Sequence, residues 1–202
     1  MLEHINRLWF AWINAPAGLR PAAVLPATAL AEWVIYLVPC SLTWLWLSGG
    51  TRNRQAAMRA CAATLLGLLV SQLIGSLWFH PRPFMDGIGH DYLVHVPDSS
   101  FPSDHVTILT AVGLALWMST GTAARRWGTA LLVMAPLVGW ARIFLGVHYP
   151  FDILGAIGVG TFAALAADTM GARLLCAWIT TKVEQLYRRM MAIPIARGWL
   201  RA

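Results

Sequence analysis

Charge is what this chain has least of. Asp, Glu, Lys and Arg together make up 12% of its 202 residues, against about 25% in an ordinary soluble domain. A soluble globule of this size would lack the polar side chains to cover its surface, and an apolar content of 58% excludes intrinsic disorder. Cysteine is also scarce. Cys40, Cys61 and Cys176 are odd in number, far apart and set in apolar stretches. They imply neither a disulfide framework nor a thiolate metal site, and read as small core residues. Repeats and low-complexity tracts are missing. Residues 1–20 lack a clean apolar run, because Glu3, His4, Asn6, Arg7 and Asn14 interrupt it, so no cleavable signal peptide is expected.

Long apolar runs are what the chain does have. They predict spans over about Val24–Leu47, Ala60–Phe79, His105–Ala124, Trp127–Val147 and Pro150–Gly171. Pro26 and Pro39 predict a kink in the first. The fold class is therefore all-α: a polytopic membrane helix bundle of five to six transmembrane helices, in a single domain over 1–202. Leu2, Ile5, Leu8, Trp9, Trp12 and Ile13 recur at helical spacing, so residues 1–20 read as an amphipathic helix lying on the membrane. Eleven Trp fit interfacial anchoring.

The few charges orient the bundle. Arg52, Arg54 and Arg59, then Arg125 and Arg126, then the tail over 179–202 are basic and should be cytoplasmic. The net charge of +6 thus belongs to cytoplasmic segments rather than to a nucleic-acid surface. Residues 80–104 and 142–152 carry the acidic balance and should face outward. Those two connections and the adjoining His105 account for five of the six histidines, with Arg82, Ser103, Arg142 and Asp152.

Ser103 precedes an apolar helical run and suits an N-cap, with Asp104 in the first turn. Such a helix start offers free N–H groups to phosphate. His148 and Asp152 are four apart and can share a helix face. A carboxylate on one imidazole nitrogen leaves the other free as nucleophile or base. Arg142 supplies a planar fork for an oxyanion, and prolines on both sides stiffen Arg82. Each element alone also reads as a cap, an ion pair or a headgroup contact. Together they are what phosphoryl transfer through a histidine needs. His90 and His95, with Asp86, Asp91 and Asp98, have no recognisable ligand spacing, so no metal is expected.

Arg82-Pro83, Pro102-Ser103-Asp104-His105 and Arg142-x5-His148-x3-Asp152 resemble, in order and spacing, the three-part signature of the type 2 phosphatidate phosphatase superfamily. The segments 98–105 and 145–155, with the tail over 194–201, resemble the bacterial undecaprenyl-diphosphate phosphatases of the bacitracin-resistance type. The resemblance implies His148 as nucleophile, Asp152 orienting it, and His105 as general acid and base. It implies Arg82, Ser103 and Arg142 holding phosphate, with no cofactor. The implied partners are a polyprenyl diphosphate and membrane lipids, at the outer face of a bacterial inner membrane. The family's first element usually has a lysine where this chain has Gly75, and His80 is the nearest stand-in. Asp104 replaces a usual glycine, a substitution that the bacitracin-resistance type carries. Glu32, a carboxylate inside the first span, reads either as bordering the site or its entrance or as one half of a structural pair. The rival readings are a phosphatase for phosphatidate, phosphatidylglycerol phosphate or lipid A, or a lipid transporter.

Overall fold

The computed structural model describes residues 1–48 and 50–201. Among these residues the regular structure is all helical, with no strand and with a long irregular connection over 78–103. The elements are α1 (Leu2–Ile13), α2 (Pro21–Trp33), α3 (Leu37–Ser48), α4 (Thr51–Leu77), α5 (Asp104–Trp117), α6 (Thr122–Phe144), α7 (Pro150–Ala167), α8 (Met170–Met190) and α9 (Ala192–Ala196). Four stretches are long and apolar enough to cross a membrane: Pro21–Ser48, Thr51–Leu77, Thr122–Phe144 and Pro150–Ala167.

The first is not one straight helix. A 3-10 turn over Val34–Tyr36 separates α2 from α3. Pro39 lacks an N–H and its ring opposes the carbonyl four residues back, that of Ile35. The break therefore sits where the proline dictates.

The fifth apolar helix, α5, has 14 residues and rises only about 21 Å. It packs against α4, α6 and α7 at the centre of the bundle. Its apolar residues bury on every side, including Val106, Leu109, Val112 and Leu116, as expected of a central helix. Small residues allow the close approach. A Cβ on Gly128 of α6 would stand 2.6 Å from the Gly113 carbonyl of α5, and one on Gly160 of α7 would stand 2.7 Å from the Thr110 Cβ.

Several boundaries differ from the sequence reading. The third span ends at Trp117, not Ala124, because the Ser119 hydroxyl takes the Leu116 carbonyl at 2.6 Å and the chain turns at Gly121. Arg125 and Arg126 accordingly lie in the first turns of α6 rather than in a loop. Helix α4 starts at Thr51, so Arg52, Arg54 and Arg59 are helical too. Arg54 is wholly buried: it donates to the Trp46 and Arg201 carbonyls, pairs with Glu184 at 3.4 Å, and faces the Tyr187 ring at 4.8 Å. The basic tail is thus a helix beginning at Met170 and strapped onto α4, rather than a free extension.

At the opposite end α4 and α6 finish, and α5 and α7 begin. Helix α1 docks there. Its Asn6 accepts the Phe151 N–H at 3.0 Å, and Asn14 donates to the His90 and Phe144 carbonyls at 2.9 and 3.1 Å. Asn6 and Phe10 bury against the bundle and Trp9 lies edge-on to Phe151, while Leu2 and Trp12 are exposed.

Candidate active site

The spacing Arg142-x5-His148 has a local cause. Helix α6 ends in a Schellman motif: Val147 N–H donates to the Arg142 carbonyl at 3.1 Å and Gly146 N–H to the Ile143 carbonyl at 3.0 Å. Gly146 closes it with φ +87°, a conformation other residues adopt at about 1–2 kcal/mol. A Cβ there would also run into the His90 carbonyl. This reversal brings His148 back toward Arg142. We expect Gly146→Ala to lower stability by at least about 1–2 kcal/mol, measured as a fall in Tm, and to reduce turnover with it.

Pro150 then starts α7 at its first turn. Asp152 Oδ2 accepts the Tyr149 N–H at 2.7 Å and lies 3.2 Å from His148 Nδ1. A cap and a histidine clamp are the same oxygen. His148 is 2% exposed and Asp152 0%. On the other side of the ring, Arg82 Nη1 lies 3.2 Å from His148 Nε2 and donates to the Val147 carbonyl at 2.9 Å. With guanidinium as donor, Nε2 carries the lone pair and Nδ1 the proton. Burial, then Arg142 and Arg82, hold the His148 imidazole well below its usual range, so it stays neutral.

Arg82 is fixed further by Asp98 at 2.7 Å and the Ser99 carbonyl at 3.3 Å. Arg142 is 3% exposed; it donates to the Ala31 carbonyl at 3.3 Å, and its Nε has no partner among the described residues. A cavity of about 370 Å³ opens onto this group, lined by Arg82, Arg142, His105 and His148, with Gln72, Gly75, His95, Asp98 and Asp104.

The structure thus brings Arg82, His105, Arg142 and His148 to one cavity, with Asp152 behind His148. Ser103 and His80 stand differently from expectation, and Asp104 lies in the first turn of α5. Ser103 is at the N-cap position of α5, but its hydroxyl makes no cap bond; it is buried with no hydrogen-bond partner among the described residues. Asp104 neither caps nor pairs with arginine: it takes the Gln72 amide at 3.4 Å. His80 does not line the cavity and does not fill the place of a lysine at Gly75. It sits behind Asp152, whereas Gly75 lines the cavity beside Ser99, whose Cβ would be 3.3 Å from a Cβ there. Glu32 is exposed and lines a neighbouring cavity of about 390 Å³, which shares His95, His105 and Arg142 with the first.

Sequence reasoning placed His95 among the histidines of the outward connections but gave neither it nor Asp98 a role at the cavity that they line. No three metal-capable side chains cluster among the described residues.

A family model of the PAP2 superfamily matches residues 56–185. The chain belongs to that superfamily. Its PAP2 segment runs from α4 to α8 and includes every residue that meets at the cavity. The chain is 36% identical over 208 residues to a protein of Escherichia coli (strain K12) named "Putative undecaprenyl-diphosphatase YbjG", covering all of both chains. It is 35% identical over 130 residues to the undecaprenyl-diphosphatase BcrC of Bacillus subtilis (strain 168), covering 64% of this chain and 65% of that one. The crystal structure of LpxE from Aquifex aeolicus shares the fold with a TM-score of 0.64 at 19% identity, covering 81% of this chain and 94% of LpxE. The multi-pass PAP2 helix bundle expected from the sequence is the fold found.

Proposed function

We propose that this protein hydrolyses undecaprenyl diphosphate to undecaprenyl phosphate and inorganic phosphate, through a phosphohistidine on His148. The observation that carries the reading is the buried Asp152–His148–Arg82 line at the wall of a cavity that also presents Arg142 and His105. The full-length similarity to YbjG, and the names of YbjG and BcrC, support the lipid assignment.

In this mechanism His148 Nε2 attacks the terminal phosphorus. The bond from phosphorus to the bridging oxygen breaks, and His105 delivers a proton to the departing lipid phosphate. Water then attacks the phosphohistidine and gives its proton to His105, freeing inorganic phosphate. Arg82 and Arg142 balance the charge on the equatorial oxygens. The unpartnered Arg142 Nε and Ser103 hydroxyl are groups that a phosphate would satisfy. Asp98, 57% exposed at its side chain, gives up Arg82 as the phosphate enters.

The site end carries the acidic connections and the other end the arginines of α4, α6 and α8. We therefore place the cavity on the periplasmic side of a bacterial inner membrane, with residues 179–202 cytoplasmic and the whole chain as one domain. The prenyl chain lies in the bilayer beside the helices.

The test uses purified protein in detergent, with EDTA and equimolar undecaprenyl diphosphate, phosphatidate or phosphatidylglycerol phosphate. Phosphate release fastest from the diphosphate is expected. A strong preference for phosphatidate overturns the substrate assignment, and absence of release from all three overturns the phosphatase reading.

A further inference from the structure

Asp152 presents two oxygens to a wholly buried environment, and they are treated unequally. Oδ2 takes both the Tyr149 N–H and the His148 ring. Oδ1 has no hydrogen-bond partner among the described residues. A buried carboxylate oxygen without a donor is costly. The groups placed against the carboxylate are the Ser100 hydroxyl and His80, whose Nδ1 lies 3.8 Å from Oδ1. That nitrogen is 2.8 Å from the Ser100 hydroxyl, which is itself buried. The ring stands edge-on to Tyr149, with centroids 5.5 Å apart.

The other ring nitrogen of His80 faces outward to α1. Its Nε2 is 3.4 Å from Glu3 Oε2. Glu3 is braced by Arg7, at 3.2 Å on its other oxygen, and Arg7 reaches Asp86 at 3.0 Å. Asp86 also accepts the Tyr149 hydroxyl at 3.2 Å. Polar contacts therefore lead from an exposed carboxylate on α1 to His80, and His80 packs 3.8 Å from the carboxylate that clamps His148.

We infer that His80 is a positioning residue for the Asp152–His148 pair, and that α1 completes the active site by holding His80 through Glu3. The inference rests on His148 acting as the nucleophile. When phosphorus bonds to Nε2, the ring becomes cationic and draws on Asp152. His80, packed 3.8 Å from Oδ1 and tied to the Ser100 hydroxyl, keeps that carboxylate from rotating away. The His80 side chain does not line the cavity, so it acts on the reaction through its neighbours Asp152 and Ser100. Outer-layer partners of an active histidine typically carry about 10–100-fold in function.

The experiment compares steady-state kcat and KM, and the rate of 32P-phosphohistidine formation, for wild type, His80→Ala, His80→Asn, Glu3→Gln and His148→Ala. All are assayed with undecaprenyl diphosphate, and folding is checked by Tm. His80→Ala is expected to lower kcat and the labelling rate about 10–100-fold, with KM within about twofold. The side-chain amide introduced by His80→Asn would stand near the position of Nδ1, so that variant should recover most of the loss. Glu3→Gln should fall between wild type and His80→Ala. Three outcomes overturn the inference: a His80→Ala enzyme with unchanged kcat, one altered only in KM, or an Asn variant no better than the Ala variant. Retention of labelling or turnover by His148→Ala overturns the phosphohistidine reading instead, so the two failures are separate.

Discussion

His148→Ala is expected to reduce phosphate release by roughly 10⁴–10⁶-fold, the range that follows removal of a covalent nucleophile, and to form no labelled phosphoprotein. Among the described residues, His148 is the one histidine with a buried carboxylate on one nitrogen and an arginine on the other at the cavity wall. Substrate positioning by Arg82 and Arg142 would survive the substitution, so KM should change little while kcat collapses. An assay of lipid diphosphate turnover with acid-labile 32P trapping checks both parts. Substantial turnover with no label in the wild type would remove His148 from the chemistry. The same burial that aims the ring sets its response to pH. Its folded value lies well below the ordinary imidazole value of 6.5. Below about pH 6.5 the unfolded chain takes up a proton here and the folded chain does not. The contribution of His148 to stability is therefore whole above that pH and is lost as the pH falls. The nucleophile itself remains unprotonated at about pH 6. An acid limb of kcat/KM centred on a normal imidazole value would thus belong to another group.

The sequence reveals the helices and the motif residues unevenly, for physical reasons. Apolar runs mark all five hydrophobic segments, of which four are membrane-length because lipid demands it, while α5 is shorter and packed inside the bundle. Pro39 marks the break in the first span for a purely local reason. The grouping of Arg82, His105, Arg142 and His148 follows from loop charge and motif order, since helix ends at one membrane face must lie near one another. What cannot be read is any partner chosen by packing alone. His80 and Glu3 are 77 residues apart, and Arg7 and Asp86 79 apart; no periodicity links them. In the sequence His80 therefore reads as a substitute cation for the lysine absent at Gly75. Only the structure shows that His80 sits behind Asp152 while Gly75 lines the cavity beside Ser99. Arg54 fails in the opposite direction. A positive residue in a basic stretch reads as solvated, yet it is buried under Trp46, Tyr187 and Glu184, because α8 folds back over it.

Asp152→Asn should leave the protein folded and cut kcat by roughly 10³–10⁴-fold, comparable to neutralising the orienting carboxylate of a catalytic triad. The reason lies in the two duties of Oδ2. As a cap it needs only an oxygen to accept the Tyr149 N–H at 2.7 Å, and an amide oxygen serves. As the partner of His148 it needs charge, because the ring becomes cationic once phosphorus is attached. Asparagine keeps the first duty and loses the second. Asp152→Ala loses both, and should add a fall in stability of about 0.5–2 kcal/mol from the missing cap. Measuring Tm and kcat for the two variants separates the roles: equal Tm loss in both, or wild-type kcat in Asp152→Asn, would refute the division. Combining Asp152→Asn with His80→Ala gives a further constraint. If His80 acts only through the carboxylate, its removal should cost almost nothing once that charge is gone, so the two losses should not add.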